Sequence, residues 1–246
     1  MTDKQTKHYR EINQSRKRLL PTLAANAADS AKDKNGSSTN VYAAALRFIG
    51  ISDFLLDGDT GSFRSMLSKA AKLRVQLFVR FDRGEPISAS YVSTLAYKEL
   101  FDALAAGDLE TATELAQHIG GRPDIEKEHA HPFDNALGYA LKAAVLGRDQ
   151  IPANEMLAAV LQENDNANFR GYGAVLSQLA SAQDKVSPDA FRSIVAGHKR
   201  EAKDGVFKGV VDEIICVWGI GLANLVKARG RSVDFSDDLI PAGLIA

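Results

Sequence analysis

Cysteine is nearly missing from this chain of 246 residues: there is one, Cys216, so no disulfide can form within it. A single cysteine inside an apolar stretch reads as a small buried core residue, not as a nucleophile. The lack of disulfides fits a reducing compartment, and a cytoplasmic location is expected. Long apolar runs are also missing. The best, Ile214–Ala223, is about half the ~18 residues a membrane span needs, so no membrane association is expected. The first apolar stretch, Leu19–Ala28, comes late and contains Pro21 and Asn26, which does not read as a signal peptide. Net charge is almost absent at −1, which argues against direct nucleic-acid binding by the chain as a whole.

Catalytic and cofactor signatures are equally sparse. There is no Gly-x-Ser-x-Gly elbow, P-loop, His-Glu-x-x-His or paired-cysteine site. Asp57-Gly58-Asp59-Thr60-Gly61 begins like a calcium loop, but Ser68 stands where the bidentate Glu belongs, so a turn with a helix cap is expected. Gly219-Ile220-Gly221 follows no strand and reads as close helix packing, and Arg170-Gly171-Tyr172-Gly173 is no stronger. His129 and His131, with Glu126 and Glu128 nearby, form the one candidate metal cluster. At i and i+2 before Pro132 they read as loop residues leading into a helix capped near His131, and neither a metal nor any other cofactor is expected. His8, His118 and His198 stand alone. The chain reads as a non-enzyme.

What the chain has in abundance is helical period. Phe63, Met66, Leu67, Ala70, Leu73, Leu77 and Phe81 recur at steps of three and four, opened by Asp59 or Ser62 and stopped by Gly84. Tyr91–Leu104, Leu109–Ile119, Phe133–Leu146, Ala153–Leu161, Phe169–Ala182 and Phe191–Lys203 follow, each bounded by turn-forming residues. Ser187-Pro188-Asp189 is a strong helix start. The best strand signal, Val233-Asp234-Phe235, is too short to build a sheet. Leu104–Ala116 resembles a tetratricopeptide-like turn, without a second copy at a fixed period.

Val206–Arg229 is apolar almost all the way round and carries Cys216 and the one Trp, Trp218. A helix without a polar face is buried on most sides. The expected architecture is therefore all-α: a single domain of nine or ten helices, packed as antiparallel hairpins around a buried C-terminal helix, 206–229. Residues 1–36, basic through Lys7, Arg10, Arg16, Lys17 and Arg18, read as a first helix and a flexible link over Ala31–Thr39. Residues 37–246 read as the helical body.

Charge is unevenly spread. From Glu99 to Phe169 thirteen acidic residues face four basic ones, a local balance of −9 that leaves +8 for the remainder. Such runs are ordinarily solvated helix faces; the sharper reading is a docking surface for a basic partner.

The C-terminal pattern Val217-Trp218, Leu222-Ala223-Asn224-Leu225, Arg229-Gly230, Val233, Asp237-Asp238, Ile240-Pro241 and Leu244 resembles the end of the immunity protein 49 family, bacterial proteins that neutralise a cognate toxin of a polymorphic toxin system. A related group of immunity proteins for polymorphic nuclease toxins shares the helical plan and the final Pro-x-x-Leu. The likeness covers about forty residues and supplies no catalytic residue. It implies stoichiometric binding of a toxin domain, with occlusion of the toxin's active site. An acidic face would suit a basic toxin, with Glu126, Glu128, Glu163 and Asp165 as contacts and Phe133 and Phe169 as apolar anchors. The same residues leave open a helical-repeat scaffold with a peptide groove, and a hydrolase that reverses a toxin's modification, which would need a deep pocket around His129 and His131.

Overall fold

Asp59 closes the first clear junction: its side chain accepts the Ser62 amide at 2.8 Å, and Gly58 turns the chain with φ +70°. In this computed structural model, which describes residues 1–181 and 184–246, the turn and cap join α2 (Ser37–Asp57) to α3 (Thr60–Asp82) as an antiparallel hairpin. The stripe Phe63, Leu67, Ala70, Ala71, Leu77 and Phe78 is buried against the rest. The suspected calcium loop is thus a helix-capping turn. α1 (Asp3–Ala28) packs along α2.

The fold is all-α and forms one domain. After α3 come α4 (Tyr97–Ala105), α5 (Leu109–His118), α6 (Pro123–His129), α7 (Pro132–Leu146), α8 (Ile151–Val160), α9 (Arg170–Ala180), α10 (Pro188–Asp204) and α11 (Val217–Ala228). Eleven α-helices therefore stand among the described residues, against nine or ten expected. Two of them, α2 and α6, are not among the helices named from the sequence. The His129/His131 neighbourhood was read as loop, but Pro123 at the first turn, with Asp124 and Glu126 beside it, starts a short helix there. The expected end of the 169–182 helix falls at Ala182, outside the described residues. Two-residue strands β1 (Lys185–Val186) and β2 (Ser232–Val233) pair in parallel and tie the start of α10 to the tail.

The C-terminal helix is buried as expected but half as long. Every residue of Val217–Val226 is buried, whereas 205–216 leaves the helix as a loop with one 3-10 turn at Val211–Glu213. Gly209 at φ +72° breaks the helical path, and Val206 and Val210 are exposed. Apolar composition alone could not separate loop from helix here, because Val206, Phe207, Val210 and Val211 are apolar as cleft lining and not as a helix core. α11 lies directly on α4. A Cβ at Gly221 would stand 2.8 Å from the Phe101 carbonyl oxygen, so glycine sets the approach. Asn224 donates to the Leu104 (2.9 Å) and Ala105 (3.2 Å) carbonyls at the end of α4 and accepts the Ala246 amide at 2.7 Å. Gly230, at φ +71°, ends α11, and Ile240 and Leu244 fold back into the core.

The N-terminal segment is less separate than its sequence implies. Tyr9 joins the main core, Asn13 Nδ2 donates to Asp53 at 2.7 Å, and Lys17 pairs with the same carboxylate. The 31–39 stretch, read as a flexible link, is an ordered turn that runs into the first residues of α2. Buried Asp33 accepts the Thr39 amide and hydroxyl and pairs with Arg80 at 2.6 Å, which holds it in its charged form below the usual carboxylate range against the cost of burial.

Candidate functional site

A cleft of about 910 Å³ opens where α1, α2, α4 and α7 meet the end of α10 and the loop before α11. Its base is aromatic. Trp218 at the start of α11 stacks on Phe101 (centroids 5.3 Å, 13° between planes) and meets Tyr97 and Phe207 edge-on at 5.4 and 5.2 Å. Phe133, from the first turn of α7, packs on Phe169 at 4.7 Å. Phe169 ends the 3-10 turn Asn164–Phe169, a strap that crosses from α8 to α9. On the opposite wall Arg16 of α1 lies 4.1 Å over the Phe48 ring of α2. The loop after α10 adds an apolar rim through Val206 and Val210.

Six carboxylates and three permanent cations line this space: Glu99, Asp102, Asp134, Asp165, Glu201 and Asp212 against Arg16, Arg47 and Lys98. Arg47 is the centre of the arrangement. Its Nε donates to both oxygens of Asp102 (2.9 and 2.8 Å), and Nη1 and Nη2 donate to Asp212 at 2.7 and 2.6 Å. One guanidinium thus clamps α2 to α4 and to the 3-10 turn before α11, with a two-pronged contact on Asp212 and a single N–H shared between the two oxygens of Asp102. A single cation between two buried carboxylates leaves a negative surplus. Burial, with Glu99 and Asp212 adding to it and Arg47 opposing it, raises the Asp102 carboxyl to about 7; it is 1 % exposed.

This shift sets a pH dependence of stability. Because the folded carboxyl holds its proton up to about 7 and an unfolded Asp only to about 4, the folded state binds the extra proton between those values. The contribution of Asp102 to stability is greatest below that window and falls as pH rises through it. His198, next to Phe207 at 4.6 Å, acts in the other direction. Burial depresses its pKa, so its contribution falls as pH drops through the ordinary histidine range. Urea unfolding of the wild type and Asp102→Asn at matched pH values removes the His198 part. The stability difference, wild type minus variant, is expected to fall between pH 4 and 7 and to be flat above pH 8.

Three of the expected contact residues come together at the cleft: Phe133, Asp165 and Phe169. The two rings are only 7 % and 6 % exposed, so they serve the cleft base and not an outer surface. Glu163 is exposed beside them, 3.3 Å from the Asn166 amide. Glu126 is not available as a contact. It is 8 % exposed and accepts the Arg122 amide and the Tyr139 hydroxyl, both at 2.9 Å, which pins the start of α6 to α7. Glu128 is exposed on α6, away from the cleft lining. Of the four carboxylates expected on an acidic face, Glu128, Glu163 and Asp165 are exposed and Glu126 is buried; only Asp165 lines the cleft.

The candidate histidines have local tasks. His131 caps α7, its Nδ1 accepting the Phe133 amide at 3.3 Å, and stands at the cleft edge; His129 does not line it. Among the described residues no group of three His, Cys, Asp or Glu is placed to hold a metal ion. Cys216 is buried against the Tyr172 hydroxyl, and burial pushes its thiol up to about 12, which leaves it un-ionised at neutral pH.

Sequence reasoning missed Arg47, Asp102 and Asp212. Each follows an apolar run, Ala43–Leu46 before Arg47, Leu100-Phe101 before Asp102 and Val210-Val211 before Asp212, and the two carboxylates are buried; a buried charge is more informative than a buried apolar residue. Comparison of the chain with protein-family models, with curated proteins and with solved structures returned no match.

Proposed function

We propose that the protein is a non-catalytic binding protein of the immunity type, which neutralises a basic toxin domain by holding a segment of it in the cleft between α1, α4, α7 and α10. The observation that carries this reading is the cleft itself: about 910 Å³, aromatic at the base, apolar at the rim and lined by twice as many carboxylates as permanent cations. Aromatic contact area supplies affinity in such a site, and unlike charge supplies on-rate and selectivity. The C-terminal likeness to immunity proteins supplies the biological setting. The residues of that likeness, Trp218, Asn224, Gly230 and Ile240 among them, build α11 and its tail and so the cleft base, without themselves forming an outer docking face.

Co-expression tests the reading. The C-terminal domain encoded by the neighbouring open reading frame is produced in a bacterial host with and without this chain, and survivors are counted. Rescue together with co-elution of the two proteins is the expected result. Toxicity without rescue, or rescue without a complex, would overturn it. The aromatic base of the cleft, with exposed Val206 and Val210 at its rim, favours a second reading, a peptide-binding module whose ligand places apolar side chains there. Capture of a defined peptide without any toxin rescue is the outcome that would select it.

A further inference from the structure

We propose that the outward face of α8 is a second docking surface, which takes a basic amphipathic helix of the partner domain. The proposal rests on the binding reading above and adds a contact outside the cleft.

α8 is apolar along most of its length, yet of its ten residues only Leu157 is buried. At 3.6 residues per turn, Ile151, Pro152, Glu155, Met156, Ala158 and Ala159 fall on one half of the helix, and all six are exposed. Ile151 is 62 % and Met156 42 % exposed. Single exposed apolar side chains are ordinary on a protein surface, whereas five on one side of one helix form a patch. α10 shows the ordinary arrangement: it buries Phe191, Ile194 and Val195 and turns Arg192, Lys199 and Arg200 to water. The body holds α8 through Leu157, with Ala153 and Val160 packed beside it on the core. The outer apolar side chains are therefore not what folds the helix.

Charge selects the occupant. Glu155 sits at the centre of the exposed face and makes no hydrogen bond or ion pair among the described residues. Exposed Asp149 precedes the helix, and exposed Glu163 and Asp165 follow it. The nearby cations lie beyond the helix ends: Arg148 before it, and Arg170, whose Nε donates to the Leu161 carbonyl at 2.9 Å. From Arg148 to Arg170 four carboxylates thus meet two cations, a local balance of −2. A second copy of this chain is a poor occupant, because a two-fold pairing centred on the face sets Glu155 against Glu155, and like charges in a closed contact are costly. A helix with an apolar stripe flanked by lysine or arginine covers Ile151 and Met156 and supplies the cation that Glu155 lacks. The face is a strip about 15 Å long, and its small Ala158 and Ala159 let a second helix axis come close. The strap 164–169 runs from the end of α8 to the cleft, so one partner can reach both.

The probe is a fluorescein-labelled amphipathic peptide, two repeats of Leu-Lys-Lys-Leu-Leu-Lys-Leu closed by an amide, with a twin that has glutamate at every lysine position, both titrated by anisotropy. The lysine peptide is expected to bind the wild type, and the glutamate twin to bind at least about tenfold more weakly, equivalent to about 1.4 kcal/mol. I151Q/M156Q is expected to lose the same factor. E155K is expected to lose it too, with a smaller dependence of binding on salt. Both variants keep the wild-type melting temperature, because the replaced side chains are exposed. Equal binding of the twin, or no saturation at millimolar lysine peptide, would overturn the proposal. Equal binding by I151Q/M156Q would also do so, by placing the peptide in the cleft. So would a wild-type dimer in sedimentation equilibrium that I151Q/M156Q abolishes, since a second copy would then occupy the face. Its failure separates from that of the immunity reading. If the toxin is neutralised equally by wild type and I151Q/M156Q, only the α8 surface falls. If the lysine peptide binds as described but no toxin is neutralised, only the immunity reading falls.

Discussion

Replacing Arg47 by Met is expected to cost about 3–5 kcal/mol of stability, because it leaves Asp102 and Asp212 buried side by side with no cation between them. The loss comes chiefly from the stranded carboxylates and less from the four hydrogen bonds as such, since a buried charge without a partner carries its full desolvation cost. Two further variants separate these origins. Asp102→Asn with Asp212→Asn leaves a lone guanidinium, about a quarter exposed to water, and should be milder than Arg47→Met. The triple variant R47M/D102N/D212N removes all charge and should recover most of the loss. At about 2–4 °C of melting temperature per kcal/mol for a chain of this size, the single variant is readily scored by calorimetry. If Arg47→Met melts with the wild type, the clamp is not what fixes the loop before α11 to α2 and α4. Its deprotonated carboxylates also become harder to accommodate as pH rises, so the deficit of Arg47→Met should be larger at pH 8 than at pH 5.

The second large effect is expected at Gly197, on the face of α10 that meets the strap 164–169. A Cβ there would lie 1.8 Å from the Asn168 carbonyl oxygen, a backbone atom that cannot rotate away. Gly197→Ala therefore has to push the strap off α10, at a cost of about 3 kcal/mol despite the better helix propensity of alanine. Because the strap carries Asp165 and Phe169 into the cleft, the same methyl group should also alter the emission of Trp218, whose ring centre is 6.2 Å from that of Phe169. Gly243→Ala is the control: no atom lies within 4 Å of its added Cβ, and its stability should stay within about 0.5 kcal/mol of wild type. A Gly197→Ala protein as stable as the control would show that the helix and strap can separate freely.

Much of this architecture is written in the chain at short range. The α3 stripe, the Asp59 cap, the Ser187-Pro188 start of α10 and the stop at Gly230 are local signals, and each stands where local chemistry puts it. The cap at His131 and the return of Ile240 and Leu244 to the core belong to the same class. What local signals could not provide was partnership. Glu126 looks like any acidic surface residue until Tyr139, thirteen positions later, is seen to cover it. Asp212 looks like a loop aspartate until Arg47, 165 positions earlier, reaches it. The over-long 206–229 helix fails for a related reason: Val206, Phe207 and Val210 are apolar because they form a cleft rim and wall, and composition does not distinguish that from a helix core. Phe133, Asp165 and Phe169 were legible one by one, whereas the near-complete burial of the two rings at a cleft base depends on long-range packing that no local pattern carries.

The packing of α11 on α4 sets a condition on how the protein is made. Leu104 and the Asn224 amide that caps it are separated by 120 residues. At cellular synthesis rates of 5–20 residues per second, about 6–24 s pass between the emergence of the two. Throughout that interval Phe101 and Leu104 are without the surface that covers them, while α1, α2 and α3 already have all their mutual contacts available. The ribosome-bound chain thus has α1–α3 able to pair with one another, while the α3 stripe, Arg47 and the apolar middle still wait for later partners. Chaperones that hold exposed apolar segments should be needed for this middle stretch, and a stalled chain lacking its last thirty residues, which has no α11 to cover Phe101 and Leu104, should be a target for degradation.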